Sequence, residues 1–173
     1  MAWLDPSALR SFVKNLNADD EEMINLAVDV ACGMVEEMCG PIVNTTVTES
    51  VTARSGKSKL RYRATSLVSI TTEAGTTLTP SDWAVDGPVL RNKAGRCYDE
   101  VLVVTYTSGY FDDTNPSAKA PAWARSAALH IGQQYMRTLR RFGQTTEGPQ
   151  GFLVPAAAME EMAGHLLAPD GFS

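Results

Sequence analysis

The run DDEEMINLAVDVACGMVEEM, residues 19–38, places apolar residues at helical spacing. At 100° per residue, Ile24, Ala27, Val28, Ala31, Met34, Val35 and Met38 share one arc, and Glu22, Asn25, Asp29, Gly33 and Glu36 lie opposite. The pattern predicts a core-facing helix over 19–39, roughly 30 Å long at about 1.5 Å per residue. Asn17 or Asp19 can cap it, the acids from Asp19 to Glu22 suit the positive end of the dipole, and Gly40-Pro41 supplies a stop. Gly33 costs about 1 kcal/mol against alanine and is open to two readings, a tolerated surface position or the close approach of a neighbouring chain.

Shorter periodic segments flank this helix. Asp5-Pro6-Ser7 is a helix start with a capping carboxylate and proline at the first helical position, and Leu9, Phe12, Val13 and Leu16 follow at helical spacing, predicting a helix over 6–16. After Gly40-Pro41 the period changes to two, with Val43, Thr45, Val47, Glu49 and Val51 alternating with polar residues. Arg54 to Lys59 reads as a basic turn, and short strands are predicted at 60–63, 67–72, 76–78, 83–85, 89–91 and 100–106. The turn signals between them are closely spaced, which favours antiparallel hairpins over parallel crossovers. A loop rich in Asp, Asn and Pro leads to a helix over 121–141, with Ala127, Ala128, Ile131, Tyr135, Met136 and Leu139 on its apolar side and Gly143 at its end. The segment QTTEGPQG, 144–151, reads as a mobile loop, and Pro155 opens a last helix over 155–167. The fold class expected is α+β: one domain spanning 1–173, a small helical bundle with an inserted antiparallel sheet over 43–110.

Composition adds bounds. The chain has 173 residues, 44% hydrophobic and 20% charged, enough for one core by default. No apolar run reaches the roughly 20 residues of a membrane span, and the start MAWLDPSALR lacks the pattern of a secretory signal, so the chain is expected inside a cell or packaged from one. Cys32, Cys39 and Cys97 form no CxxC and read as reduced thiols. The net charge of −5 conceals an asymmetry: residues 1–50 carry nine acids against two bases, whereas residues 51–110 carry eight bases against five acids. Such unlike segments can pair copies of a chain through complementary fields, acidic helix against basic sheet, in a contact that salt weakens.

Candidate chemistry is sparse. His130 and His165 lie in helical segments without a carboxylate or cysteine at metal-ligand spacing, and read as packed or surface residues. No GxSxG, HExxH or GxxxxGK[ST] motif occurs, and the acid pairs Glu36-Glu37 and Asp112-Asp113 are adjacent in sequence rather than set across a cleft. The clusters Lys57/Lys59/Arg61/Arg63 and Arg137/Arg140/Arg141 can touch phosphates or a neighbouring subunit, but no aromatic interleave points to specific nucleic-acid recognition. No enzyme activity and no cofactor or metal are expected. Near the end of the chain Met159, Met162, Leu166 and Leu167 line one side of the last helix, trailed by Phe172. Such a face either caps its own core or waits for an external groove.

The order of these parts carries a resemblance. A short helix, a long helix ending in CGPIV, a strand-rich middle with GTTLTPSDWAVDG, then VLVVTYTSGY, the helix APAWARSAALHIGQQYMR and a final LVPAAAMEEMAGHLLAP resemble the head-tail connector (adaptor) family of tailed bacteriophages. The resemblance covers nearly the whole chain and lies in packing and turn signals rather than in chemistry. It implies that residues 23–38 and 122–139 are paired helices, that Thr107 to Tyr110 form the exit from the sheet, and that 153–167 contact the portal. It further implies a homo-oligomeric ring, a dodecamer in the virion, at the virion neck, assembled in the bacterial cytoplasm. Its partners would be the portal, a tail or tail-completion protein, and DNA passing through the channel without sequence recognition, with no membrane. Another neck protein, a nucleic-acid-binding module and, with least support, a small hydrolase are the alternatives.

Overall fold

The structure, a computed structural model, describes residues 2–13, 20–96, 98–112, 114, 119–142 and 153–167, with the side chains of 140–142 excepted. The chain divides into two compact units: Met1–Cys39 with Lys119–Ser173, and Gly40–Ala118. Helices make up the first and antiparallel strands the second, so the fold is α+β.

In the helical unit, α1 (Pro6–Phe12) starts where expected: the Asp5 carboxylate accepts the Ser7 N–H at 2.8 Å with Pro6 in the first turn. That hydrogen bond holds the Asp5 carboxyl below its usual range. The helix stops short of the predicted end because Val13 is already extended, while Leu16, Asn17 and Asp19 lie outside the described residues. The long helix α2 (Glu21–Cys39) buries Ile24, Ala27, Val28, Ala31 and Val35 as its spacing requires, together with Cys32 and Cys39, and leaves Met34 and Met38 half-buried. Gly40 ends it with φ +85°, a left-handed conformation that glycine adopts without cost. Helix α3 (Ala122–Phe142) packs on α2 through Ala124, Ala127, Ala128, Ile131, Tyr135 and Met136, all buried, with Leu139 half-buried. Helix α1 packs on both, and α4 (Ala156–Met162) packs on α3. The last helix is therefore a turn and more shorter than 155–167, and a turn over 163–165 follows it. Gly33 is exposed, and an added Cβ there would meet nothing within 4 Å in its own chain, so it is a surface position of the subunit. Close approach occurs at Gly132 instead, where a Cβ would stand 3.1 Å from both methyls of Leu9.

The second unit contains two antiparallel sheets. Strands β1 (Thr45–Thr52), β3 (Ala64–Thr72), β4 (Thr77–Leu78) and β7 (Val101–Ser108) form one, in the order β1-β7-β3-β4. Strands β2 (Lys57–Lys59), β5 (Trp83–Asp86) and β6 (Val89–Asn92) form the other, in the order β2-β6-β5. Their inner faces share one core of Val51, Leu60, Ile70, Trp83, Leu90, Leu102, Val104 and Tyr106. The predicted strand at 60–63 is a connection. The strand lies just before it, inside the stretch read as a basic turn, because Ser58 faces inward opposite the buried Leu90 while Lys57 and Lys59 face out. The two ends of this unit are tied together by a bridge between Val43 and Phe111, by the Asn44 N–H donating to the Phe111 carbonyl, and by the Tyr110 N–H donating to that of Ile42.

Candidate functional site

The outer face of the β2-β6-β5 sheet gathers three cations. Alternation puts Ser58, Leu90 and Asn92 on the core side and Lys57, Lys59, Val89 and Arg91 on the outside. Register then sets Lys57 directly opposite Arg91 and Lys59 opposite Val89, and β5 adds Ala84 beside Arg91 and Asp86 beside Val89. Two cations as direct cross-strand neighbours repel, so this pairing costs stability unless an anion lies across it. Of the four bases grouped in sequence, Lys57 and Lys59 join this face. Arg61 and Arg63 lie in the connection to β3, where their guanidinium groups stand over the rings of Tyr62, at 5.2 Å, and Tyr110, at 6.0 Å. Arg91 completes the outer cluster, although it lies more than thirty residues away in the chain; only strand register shows it.

A second polar constellation sits at the inner edge of the other sheet. Glu49 points to the core side of β1, where its Oε1 accepts from the Tyr106 hydroxyl at 2.7 Å and from the Arg61 N–H at 2.9 Å. The same hydroxyl accepts from the Tyr62 N–H at 3.3 Å. Burial and the bond to Glu49 push the Tyr106 phenol well above its ordinary value, so it stays protonated and donates. This constellation closes the end of the sheet by mutual hydrogen bonding, and no sequence motif announces it.

The predicted portal-contact residues separate. Met162 is fully buried with Ala158 in the helical unit, so Met162 belongs to its own core. The segment is further held there by the Ser126 hydroxyl donating to Glu161 at 3.0 Å, by the Leu167 N–H donating to the Met38 carbonyl, and by the ring of His165 stacked on Trp123 at 4.0 Å. Met159 and Leu167 are half-buried, Leu166 and Leu153 are exposed, and Phe172 lies outside the described residues. Arg137 is exposed on α3, whereas the side chains of Arg140 and Arg141 lie outside the description, as do Cys97, Asp113, Gly143 and the loop 144–151. His130 packs edge-on against Phe12 with ring centres 5.3 Å apart. Asp112 accepts from the N–H and hydroxyl of Thr114, which holds its carboxyl below the usual range. Burial pushes the Cys39 thiol up to about 11 and raises that of Cys32.

No protein-family model matches the chain, and no curated protein matches it. Among the described residues no three His, Cys, Asp or Glu side chains are grouped to hold a metal ion, and no helix is long and apolar enough to cross a membrane. The feature that stands out is the cationic outer face of the β2-β6-β5 sheet.

Proposed function

We propose that this chain is a structural subunit of the head-tail connector of a tailed phage or prophage, a ring at the virion neck that joins portal to tail and surrounds the exiting DNA. The observation that supports the reading is architectural. Both ends of the chain build one helical unit around the α2–α3 pair, and a strand-rich unit is inserted between them, in the order on which the resemblance rests. Exposed Leu153 and Leu166, at either end of the last helical segment, remain candidates for the portal contact, with Met159 and Leu167 partly accessible beside them. Virions assembled without the chain should accumulate as DNA-filled heads lacking tails, and supplying it in trans should restore tailed particles. Tailed particles formed in its absence would overturn the reading.

The cationic sheet face favours a second reading, a nucleic-acid-binding module. In that case the protein would retain duplex DNA as a monomer or dimer, with an affinity that falls steeply as salt rises. Retention that survives Lys57→Gln/Arg91→Gln would exclude this face as the DNA contact.

A further inference from the structure

Opposite the buried face of α2 runs a stripe of exposed residues. Glu22, Leu26, Asp29, Gly33 and Glu37 recur at steps of four, three, four and four, which keeps them on one side of the helix, and all are exposed. Leu26 is 48% exposed. The charges that α2 itself places around it are all carboxylates, for the helix contains no lysine or arginine. At Gly33 an added Cβ would meet nothing within 4 Å, so the backbone there is open to another surface. The outer face of β2-β6-β5 has the converse layout: Lys57, Lys59 and Arg91 stand around Val89, itself 39% exposed, with Asp86 the one carboxylate at its β5 edge. Among the described residues no ion pair neutralises these three cations.

We propose that the outer face of the β2-β6-β5 sheet docks on the acidic stripe of α2 of a second copy of the chain. Val89 then lies beside Leu26, and the three cations meet Glu22, Asp29 and Glu37. Each face has an apolar centre, ringed by carboxylates on the helix and by three cations and Asp86 on the sheet, so pairing them covers the exposed valine and leucine and relieves the Lys57–Arg91 repulsion together. Duplex DNA fits the sheet face less well, because its phosphates give the exposed Val89 no apolar partner, whereas the α2 stripe offers Leu26. The contact is heterologous, because a helix face meets a sheet face and every copy has one of each. Repeated, it closes into a ring or runs on as a filament according to the rotation between neighbours. The inference deepens the ring reading and rests on it only for closure.

Charge reversal on the full-length chain tests the pairing. At low ionic strength the parent should assemble, and the assembly should dissociate as salt is raised. Lys57→Glu/Arg91→Glu has two acidic faces, Glu22→Lys/Asp29→Lys has two basic ones, and each alone should remain monomeric in native mass spectrometry and sedimentation, with the parent's circular dichroism spectrum. Mixed in equal amounts, the two should assemble again, with copies alternating and therefore even in number in any closed ring. If reversal perturbs folding, the milder Lys57→Gln/Arg91→Gln should still weaken self-association about tenfold or more. A parent that stays monomeric at low salt, a reversed variant that assembles as the parent does, or a mixture that stays monomeric would each overturn the proposal. So would loss of retention of a short DNA duplex on sheet reversal while self-association is unchanged, which would assign the face to nucleic acid. Failure of the connector reading is distinguishable: tailed virions would then form without the chain, whatever the mixed variants do.

Discussion

Tyr106 shows how one side chain ties local packing to a measurable stability. Its ring is fully buried between the sheets, and its hydroxyl serves the Glu49 carboxylate and the Tyr62 N–H together. Tyr106→Phe should keep the packing but leave both partners short of a bond, costing about 1–3 kcal/mol in urea unfolding. The pH dependence carries a signature of the same bond. The phenol's value is raised in the fold above the roughly 10 of an unfolded chain, so its contribution is full below pH 10 and is lost as pH rises beyond it. Between pH 8 and pH 11 the parent should therefore lose more stability than Tyr106→Phe; equal losses would exclude the effect. At Gly109 the backbone has φ +145°, and an added Cβ would stand 2.6 Å from the Cα and N of Asn44. Gly109→Ala should lower the melting temperature of the sheet unit by several degrees, because both the conformation and the space exclude a side chain.

Among the elements, α4 is the one whose role turns on tertiary contact. It has 7 residues, too few to be stable alone in water, so it persists because Ala158 and Met162 are buried. Met162→Ala should cost about 2–5 kcal/mol, the range for a buried methionine, while Leu166→Ala should change stability by less than about 0.5 kcal/mol. Chemical denaturation of the two variants checks the contrast; equal effects would mean that α4 does not pack as described. The contact between α1 and α3 is equally specific. Gly132 admits the Leu9 methyls, so Gly132→Val should destabilise by overpacking, about 1–3 kcal/mol, and Leu9→Ala should partly relieve it in the double variant.

For the whole molecule, the division into two units predicts separable folding. The sheet unit has its own core, and its ends meet at the Val43–Phe111 bridge, so insertion between α2 and α3 needs no long closing loop. A fragment spanning 40–118 should fold by itself and unfold cooperatively; a spectrum without dispersed amide resonances would refute this. Val28→Asp sets a charge among the buried residues of α2 and should cost several kcal/mol. In the full chain that loss should fall on the helical transition and leave the sheet transition near the parent's. A single transition shifted as a whole would show that the units unfold together.

The sequence by itself determined the helices and most strands, because their signals are local: apolar steps of three and four over 24–38, alternation over 101–108, the Asp5 cap and the Gly40 stop. The choice of antiparallel strands followed from turn spacing for the same reason. Strand order did not, since β1 finds β7 across the length of the unit and β2 lies within a stretch whose glycine and charges read as a turn. Nor did the candidate surface. Lys57 and Arg91 are neighbours only through register, and the apolar side of the last helix looked equally suited to a partner or to its own core until packing buried Met162 and left Leu166 outside. Periodicity marks which side of an element is apolar; only the contacts between distant elements decide what covers that side and which charges are brought together.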